Sequence, residues 1–361
     1  MSGLLIASLV VLSSGPNDLT NSGQFEVGTG WNSNPLYLSD SSVRKSGSEL
    51  FRLRVQNDTK WKSGPLLVRL LGIGDAQTYP FKRQASDDEI RLEPTARLSG
   101  SHDLRPWIEI GWLSLLSDNS LLVGSERFDA QGVRQGENRQ RAMLEFGVRP
   151  KGLGKANMNL AWQRRDFEEV PNATSLDRDQ WEAGIAWDGP SWGAATLSVG
   201  VDYEDRRYRT WPARYIWGDV APGVSKHMRS WGGDVGIAWE PVQQWKLVLK
   251  PRLLVRQDLA WGYFDEINPS GSISVRWRPD SSWSFHVRIQ EGWEYFSHYR
   301  DSYNPQRGIK RIRSDNAKFE IARSLGSREI VAAVTVSGED NSNLRYTWSA
   351  ACAWLGIRQN Y

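Results

Sequence analysis

The chain has 361 residues, of which 39% are apolar, and its 45 basic and 42 acidic side chains leave a formal charge of +3. That balance argues against the one-sided basic surface of a nucleic-acid binder, and the single Cys352 excludes both an intramolecular disulfide and a cysteine metal site. After residue 12 no run approaches the roughly 20 apolar residues of a membrane helix, whereas 19 Trp and 33 Gly suit strands that meet a lipid headgroup layer.

Leu4 to Leu12, apolar or small throughout, precede Ser13-Ser14-Gly15, so residues 1–15 read as an export signal, though without Lys or Arg at its start. Residues 16–361 read as one domain, since no linker, charge block or low-complexity segment divides them. From Phe25 onward the dominant period is two. It predicts strands at Phe25 to Trp31, Phe51 to Gln56, Leu66 to Leu71, Ile90 to Ser99, Ile108 to Trp112 and Arg141 to Arg149. The middle of the chain adds Ala156 to Gln163, Trp181 to Trp187, Ala195 to Glu204, Trp231 to Trp239 and Trp245 to Arg256. Ile273 to Trp277, Trp283 to Ile289, Ala317 to Ile321, Ile330 to Val336 and Tyr346 to Trp354 complete the set.

In the sixth of these, Ala142, Leu144, Phe146 and Val148 share one face while Arg141, Met143, Glu145 and Arg149 take the other. One face suits lipid and the other water, which is the grammar of a transmembrane barrel rather than a helix. The expected fold is therefore all-β: an antiparallel transmembrane barrel of about 16 strands, within a range of roughly 14–18.

Connections alternate in length. Arg149 to Lys155, Asp188 to Ser191, Glu240 to Gln244, Arg278 to Ser282 and Ser324 to Arg328 are short, and fit periplasmic turns. Leu116 to Gln140, Asp205 to Arg229 and Trp293 to Ser314 are long and polar, and fit extracellular loops. Trp187 and Trp192, Trp239 and Trp245, and Trp277 and Trp283 bracket three successive short turns, as a periplasmic girdle of indoles would.

The polar faces carry Arg52, Arg54, Arg91, Arg97, Lys246, Lys250, Arg252, Arg256, Arg276, Arg278 and Arg288, which are candidates to line a pore and select ions. Glu182, Asp202, Glu204 and Asp234 form a neighbouring acidic wall; the two sets either line an open lumen or pair across it. Within Leu116 to Gln140, the third long connection, Glu126, Asp129 and Glu137 are candidates for a constriction. His102, His227, His286 and His298 form no motif with a nearby Ser or Asp, so no catalytic residue, metal or cofactor is expected.

Gly30-Trp31-Asn32-Ser33-Asn34-Pro35 in the first hairpin resembles the opening of two groups of outer-membrane barrels, those of surface-lipoprotein assembly modifiers and of porin-like proteins linked to exopolysaccharide export. Asn32 stands where that pattern has an acid, and the match covers about 30 residues. The alternating last strand and Tyr361 resemble the signal read by the outer-membrane assembly machinery. The resemblance implies a bacterial outer-membrane location, with lipid, lipopolysaccharide and that machinery as partners. Two functions follow as expectations: a porin-like channel for small polar or anionic solutes, or a barrel that helps export or assemble polysaccharide or surface protein. A barrel enzyme acting on lipid is the less favoured reading.

Overall fold

The computed structural model describes residues 18–34, 47–80, 86–101, 103–121, 133–168, 176–300, 308–342 and 347–361. Period-two alternation becomes strands β1 (Asp18–Asn32), β2 (Ser48–Ser63), β3 (Leu66–Thr78), β4 (Asp87–Ser99), β5 (Trp107–Leu121) and β6 (Val133–Val148). These are followed by β7 (Lys155–Phe167), β8 (Arg178–Trp192), β9 (Ala195–Arg214), β10 (Val220–Trp239) and β11 (Trp245–Asp258). The last are β12 (Glu266–Trp277), β13 (Trp283–Arg300), β14 (Ile309–Leu325), β15 (Arg328–Asn341) and β16 (Trp348–Asn360). Each strand pairs antiparallel with its neighbours in sequence, and β1 closes on β16 from Gln24↔Asn360 to Asn32↔Cys352. Closure satisfies every ladder and leaves no edge, as a chain crossing lipid requires. The described residues contain no helix.

The two faces divide as the alternation requires. Ile90, Leu92 and Leu98 on β4, Trp181 and Ile185 on β8, and Val199 and Val201 on β9 are exposed apolar side chains on the outer face. Cross-strand register carries that face around the barrel, for example Ile185↔Val201 and Trp187↔Val199. The intervening positions bear the charges and point into the lumen, where most of them are ion-paired.

Strands β9, β10, β13 and β14 are longer than alternation suggests. β9 and β10 continue to Arg214 and resume at Val220, so most of Asp205 to Arg229 is a hairpin extension rather than a loop. β13 and β14 likewise take up most of Trp293 to Ser314. Beyond the lipid layer both faces of a strand are wet, so the apolar half of the alternation disappears while the ladder continues.

Candidate functional site: the charged lumen

Most of the inward cations are held by carboxylates on their own or neighbouring strands. Arg52 lies 2.6 Å from Asp75, which Arg54 also approaches at 3.5 Å. Arg91 pairs with Glu93 at 2.8 Å. Arg97 reaches Glu109 at 2.6 Å, with its guanidinium over the Trp107 ring. A cavity of about 360 Å³ opens between Arg52, Arg54, Asp75, Glu89 and Arg91.

On the other side of the barrel the basic and acidic positions do not form separate walls. Glu182 binds Arg141, and Glu204 binds Arg206. Asp234 takes Lys250 at 3.0 Å, and Glu266 takes Arg256 at 2.6 Å. Arg252 on β11 crosses β10 to reach Asp202 on β9 at 2.8 Å, and its other nitrogen is 3.7 Å from Asp234. That crossing passes over Gly232, where a Cβ would meet the Asp202 carboxylate at 2.6 Å and the guanidinium at 2.7 Å. Antiparallel register thus interleaves opposite charges that lie on different strands.

Arg276 and Arg288 are different: neither makes an ion pair among the described residues. They belong to a basic strip set by register, in which Lys246 faces Arg276, Arg276 faces His286, and Arg288 faces Lys318. Lys246 is tied to Glu240 in the β10–β11 turn, and Lys318 to Glu320. Ser274 Oγ and His286 Nε2 are 2.8 Å apart between the two free arginines. Arg278 lies just past the end of β12, in the turn, where its amide donates to the Gln244 carbonyl; it is not a lumen-wall residue.

Glu137 also sits elsewhere than the long connection suggests. It is in β6, 6% exposed, and is gripped by Arg139 at 2.8 Å and Arg165 at 2.6 Å, so it belongs to the wall. Two full ion pairs account for its burial. Glu126 and Asp129 lie outside the described residues, as do the segment 1–15 and His102.

The six girdle tryptophans are on the outer face at the short-turn end. Trp245 and Trp277 are cross-strand partners with centroids 5.5 Å apart, and Trp277 stacks on Phe285 at 4.9 Å, next to Trp283. Trp192 and Trp239 are exposed, and the Trp187 indole donates to the Leu153 carbonyl. A second aromatic band, not singled out in the sequence, lies toward the loop end: Trp112, Trp162, Trp181, Tyr203, Trp231 and Tyr295. Trp112, Ala142, Trp162 and Trp181 are successive neighbours across β5 to β8, and Tyr203 packs on Trp231 at 4.5 Å. Trp231 and Trp239 are eight residues apart on β10, and Trp283 and Tyr295 twelve on β13. With strand tilt that is roughly 20–30 Å, the height of a barrel's lipid-facing band.

Beyond the second band, outside the bilayer-spanning part of β10, Lys226 is buried on the inner face. Its ammonium is 3.7 Å from the Phe264 centroid, 4.1 Å from Trp211 and 5.4 Å from Tyr208. Burial pushes its pKa down to about 7, with Arg256 and Arg206 lowering it further and Asp258 and Glu266 opposing them. A mid-strand Lys between Ser225 and His227 gives no sequence sign of this cage, because its walls come from β9 and the β11–β12 connection.

No family model matches the chain, and no curated protein matches it in sequence. Solved structures resemble it in fold. CdiB from Acinetobacter baumannii superposes with a TM-score of 0.53 at 8% identity, over 94% of this chain and 60% of CdiB. The chain therefore spans less than two thirds of that protein. OpdK from Pseudomonas aeruginosa and a BenF-like porin from Pseudomonas fluorescens Pf-5 each give 0.47 at 10% identity, over 95% of this chain and 99% of theirs. Identities this low speak to the fold alone, and that fold is the 16-strand β-barrel of bacterial outer-membrane proteins.

Proposed function

We propose that this barrel is an outer-membrane channel that favours small anionic solutes. The observation that supports it is the pair of inward arginines, Arg276 and Arg288, left without carboxylates in a lumen whose other cations are mostly neutralised. A paired charge, such as Lys246 with Glu240 or Lys318 with Glu320, contributes little net potential along a pore, whereas the two unpaired arginines give the β12–β13 wall a positive field. Ser274 adds a hydroxyl that can donate to an oxyanion. Solute crossing would be passive, without a cofactor, and the protein's partners would be outer-leaflet lipid and the solute itself.

Planar-bilayer recording tests this directly. The wild type should show stepwise openings and a zero-current potential in a salt gradient on the anion side. Reversing both Arg276 and Arg288 to Glu should move it toward cations, most clearly at low salt, since the Debye length of about 8 Å at physiological ionic strength is comparable to a pore radius. A folded double variant with an unchanged potential would overturn the arginine assignment. A wild type that never conducts would overturn the channel and favour an export or assembly barrel.

A further inference from the structure

Exposed aromatic rings crown the tip of the β9–β10 hairpin. Tyr215 and Trp217, in the connection 215–219, stack with centroids 4.8 Å apart and planes 11° apart. Trp261, from the β11–β12 connection, tilts against Tyr215 at 4.6 Å. One face of the Trp217 indole lies on Tyr215, yet the residue is 68% exposed, so its remaining surface is open to water.

This tip is rigidly held. The Trp217 Nε1 donates to Asp219 at 2.9 Å, the Arg214 guanidinium donates to the Gly218 carbonyl, and the amides of Tyr215 and Gly218 close the turn onto Asp219 and Tyr215. Gly218 has φ +103, which suits glycine. Beneath lies the buried cluster of Tyr208, Met228, Tyr263 and Phe264. The rings are therefore fixed in place before any partner arrives, which lowers the ordering cost of binding.

Fold stability does not explain such exposure, and neither does lipid. Val220, where β10 starts, is eleven residues beyond the Trp231 band, which puts the tip roughly 25 Å above the lipid surface. The open aromatic area is also small. At 150–250 Å² per large ring, Trp217 and Trp261 together offer on the order of 250 Å², and even with Ile216 and Val220, also exposed at this tip, the patch stays well short of the roughly 800 Å² per partner of a stable protein interface. It matches one or two sugar rings. A pyranose presents a flat patch of C–H groups that packs on an indole face, and its hydroxyls would meet the Asp219 carboxylate at the edge of the stack.

We propose that Tyr215, Trp217 and Trp261 form an extracellular platform that binds a pyranose chain, with Trp217 as the stacking surface and Asp219 as hydroxyl acceptor. The site is separate from the lumen arginines and does not depend on conduction.

Calorimetric titration of the purified barrel, kept in a detergent without a sugar headgroup, tests this with cellohexaose, maltohexaose and chitohexaose as probes. At least one should bind the wild type in the high-micromolar to millimolar range. Trp217→Ala should weaken that binding tenfold or more, Trp261→Ala by less, and Trp217→Phe should retain most of it, while heat-modifiable gel mobility and single-channel conductance stay as in the wild type. The platform is overturned if no hexasaccharide binds at millimolar concentration. It is equally overturned if binding survives Trp217→Ala and Trp261→Ala together, which would place the sugar elsewhere on the barrel.

Discussion

The side-chain amide of Asn34 donates to the Ser349 carbonyl at 3.0 Å, joining residues 315 positions apart at the seam where the barrel closes. The neighbouring residues act together with it. Asn32 accepts from the Asn34 amide and donates to the Tyr79 hydroxyl, and Ser33 accepts from the Ala351 amide at 2.7 Å. The Gly30 to Asn34 string that resembles other barrels is thus a latch between β1, β16 and the end of β3.

Asn34 is 1% exposed, so replacing it removes a buried hydrogen bond to the Ser349 carbonyl. Asn34→Ala should lower barrel stability by about 1 kcal/mol, read as earlier urea unfolding in lipid vesicles, without changing ion preference. A variant as stable as the wild type would mean the latch is incidental.

Ile185 and Val201 are cross-strand partners, 64% and 55% exposed on the outer face. Arg at either should cost roughly 2–4 kcal/mol at mid-bilayer depth and impair insertion. Ser198→Arg, one face over and near Asp188 in register, should be tolerated. Heat-modifiable gel mobility of the three variants is the measurement, and equal damage at all three sites would mean the faces are misassigned.

Much of this architecture is legible in the sequence, because lipid on one side and water on the other impose a period of two that even short windows retain. The alternation of Ala195 to Glu204 locates β9 and orients it. Legibility stops where the environment becomes the same on both faces: Asp205, opposite Trp181, and Arg207 point outward yet are polar. The extensions of β9, β10, β13 and β14 therefore read as loops. The Tyr203 and Trp231 rings mark where that change occurs and are the signal that could have revealed it. Charge pairing is illegible for another reason. Arg252 and Asp202 are 50 residues apart, and only the register of β9, β10 and β11 brings them together.

Gly232 offers a test of that crossing. A methyl group there would sit between the Asp202 carboxylate and the Arg252 guanidinium. Gly232→Ala and Arg252→Met should each destabilise the barrel by about 1 kcal/mol, less at high salt, because a half-exposed pair is screened. Since both remove the same bridge, the double variant should lose little more than either single one. Arg276→Met, which removes an unpaired cation, should leave stability unchanged. Additive losses in the double variant would mean Gly232 acts through the backbone rather than through the bridge.

Lys226 supplies a pH signature for the extracellular end of the barrel. In the folded protein its proton is lost near pH 7, because Tyr208, Trp211 and Phe264 shut out water, whereas in the unfolded chain a lysine holds it to about pH 10.4. Between those values the unfolded state binds more protons, so this residue makes stability rise with pH; below about pH 7 both states are charged and its contribution is constant at its least favourable level. The other charges around it, Arg206 on β9, Arg256 and Asp258 on β11 and Glu266 on β12, are common to a Lys226→Met variant, so subtraction isolates the one group. The difference in unfolding free energy, wild type minus variant, should be flat below about pH 6 and climb between pH 7 and 10, followed by Trp fluorescence during urea unfolding in lipid vesicles. A difference that stays level across that range would mean water reaches the ammonium and the aromatic cage is open.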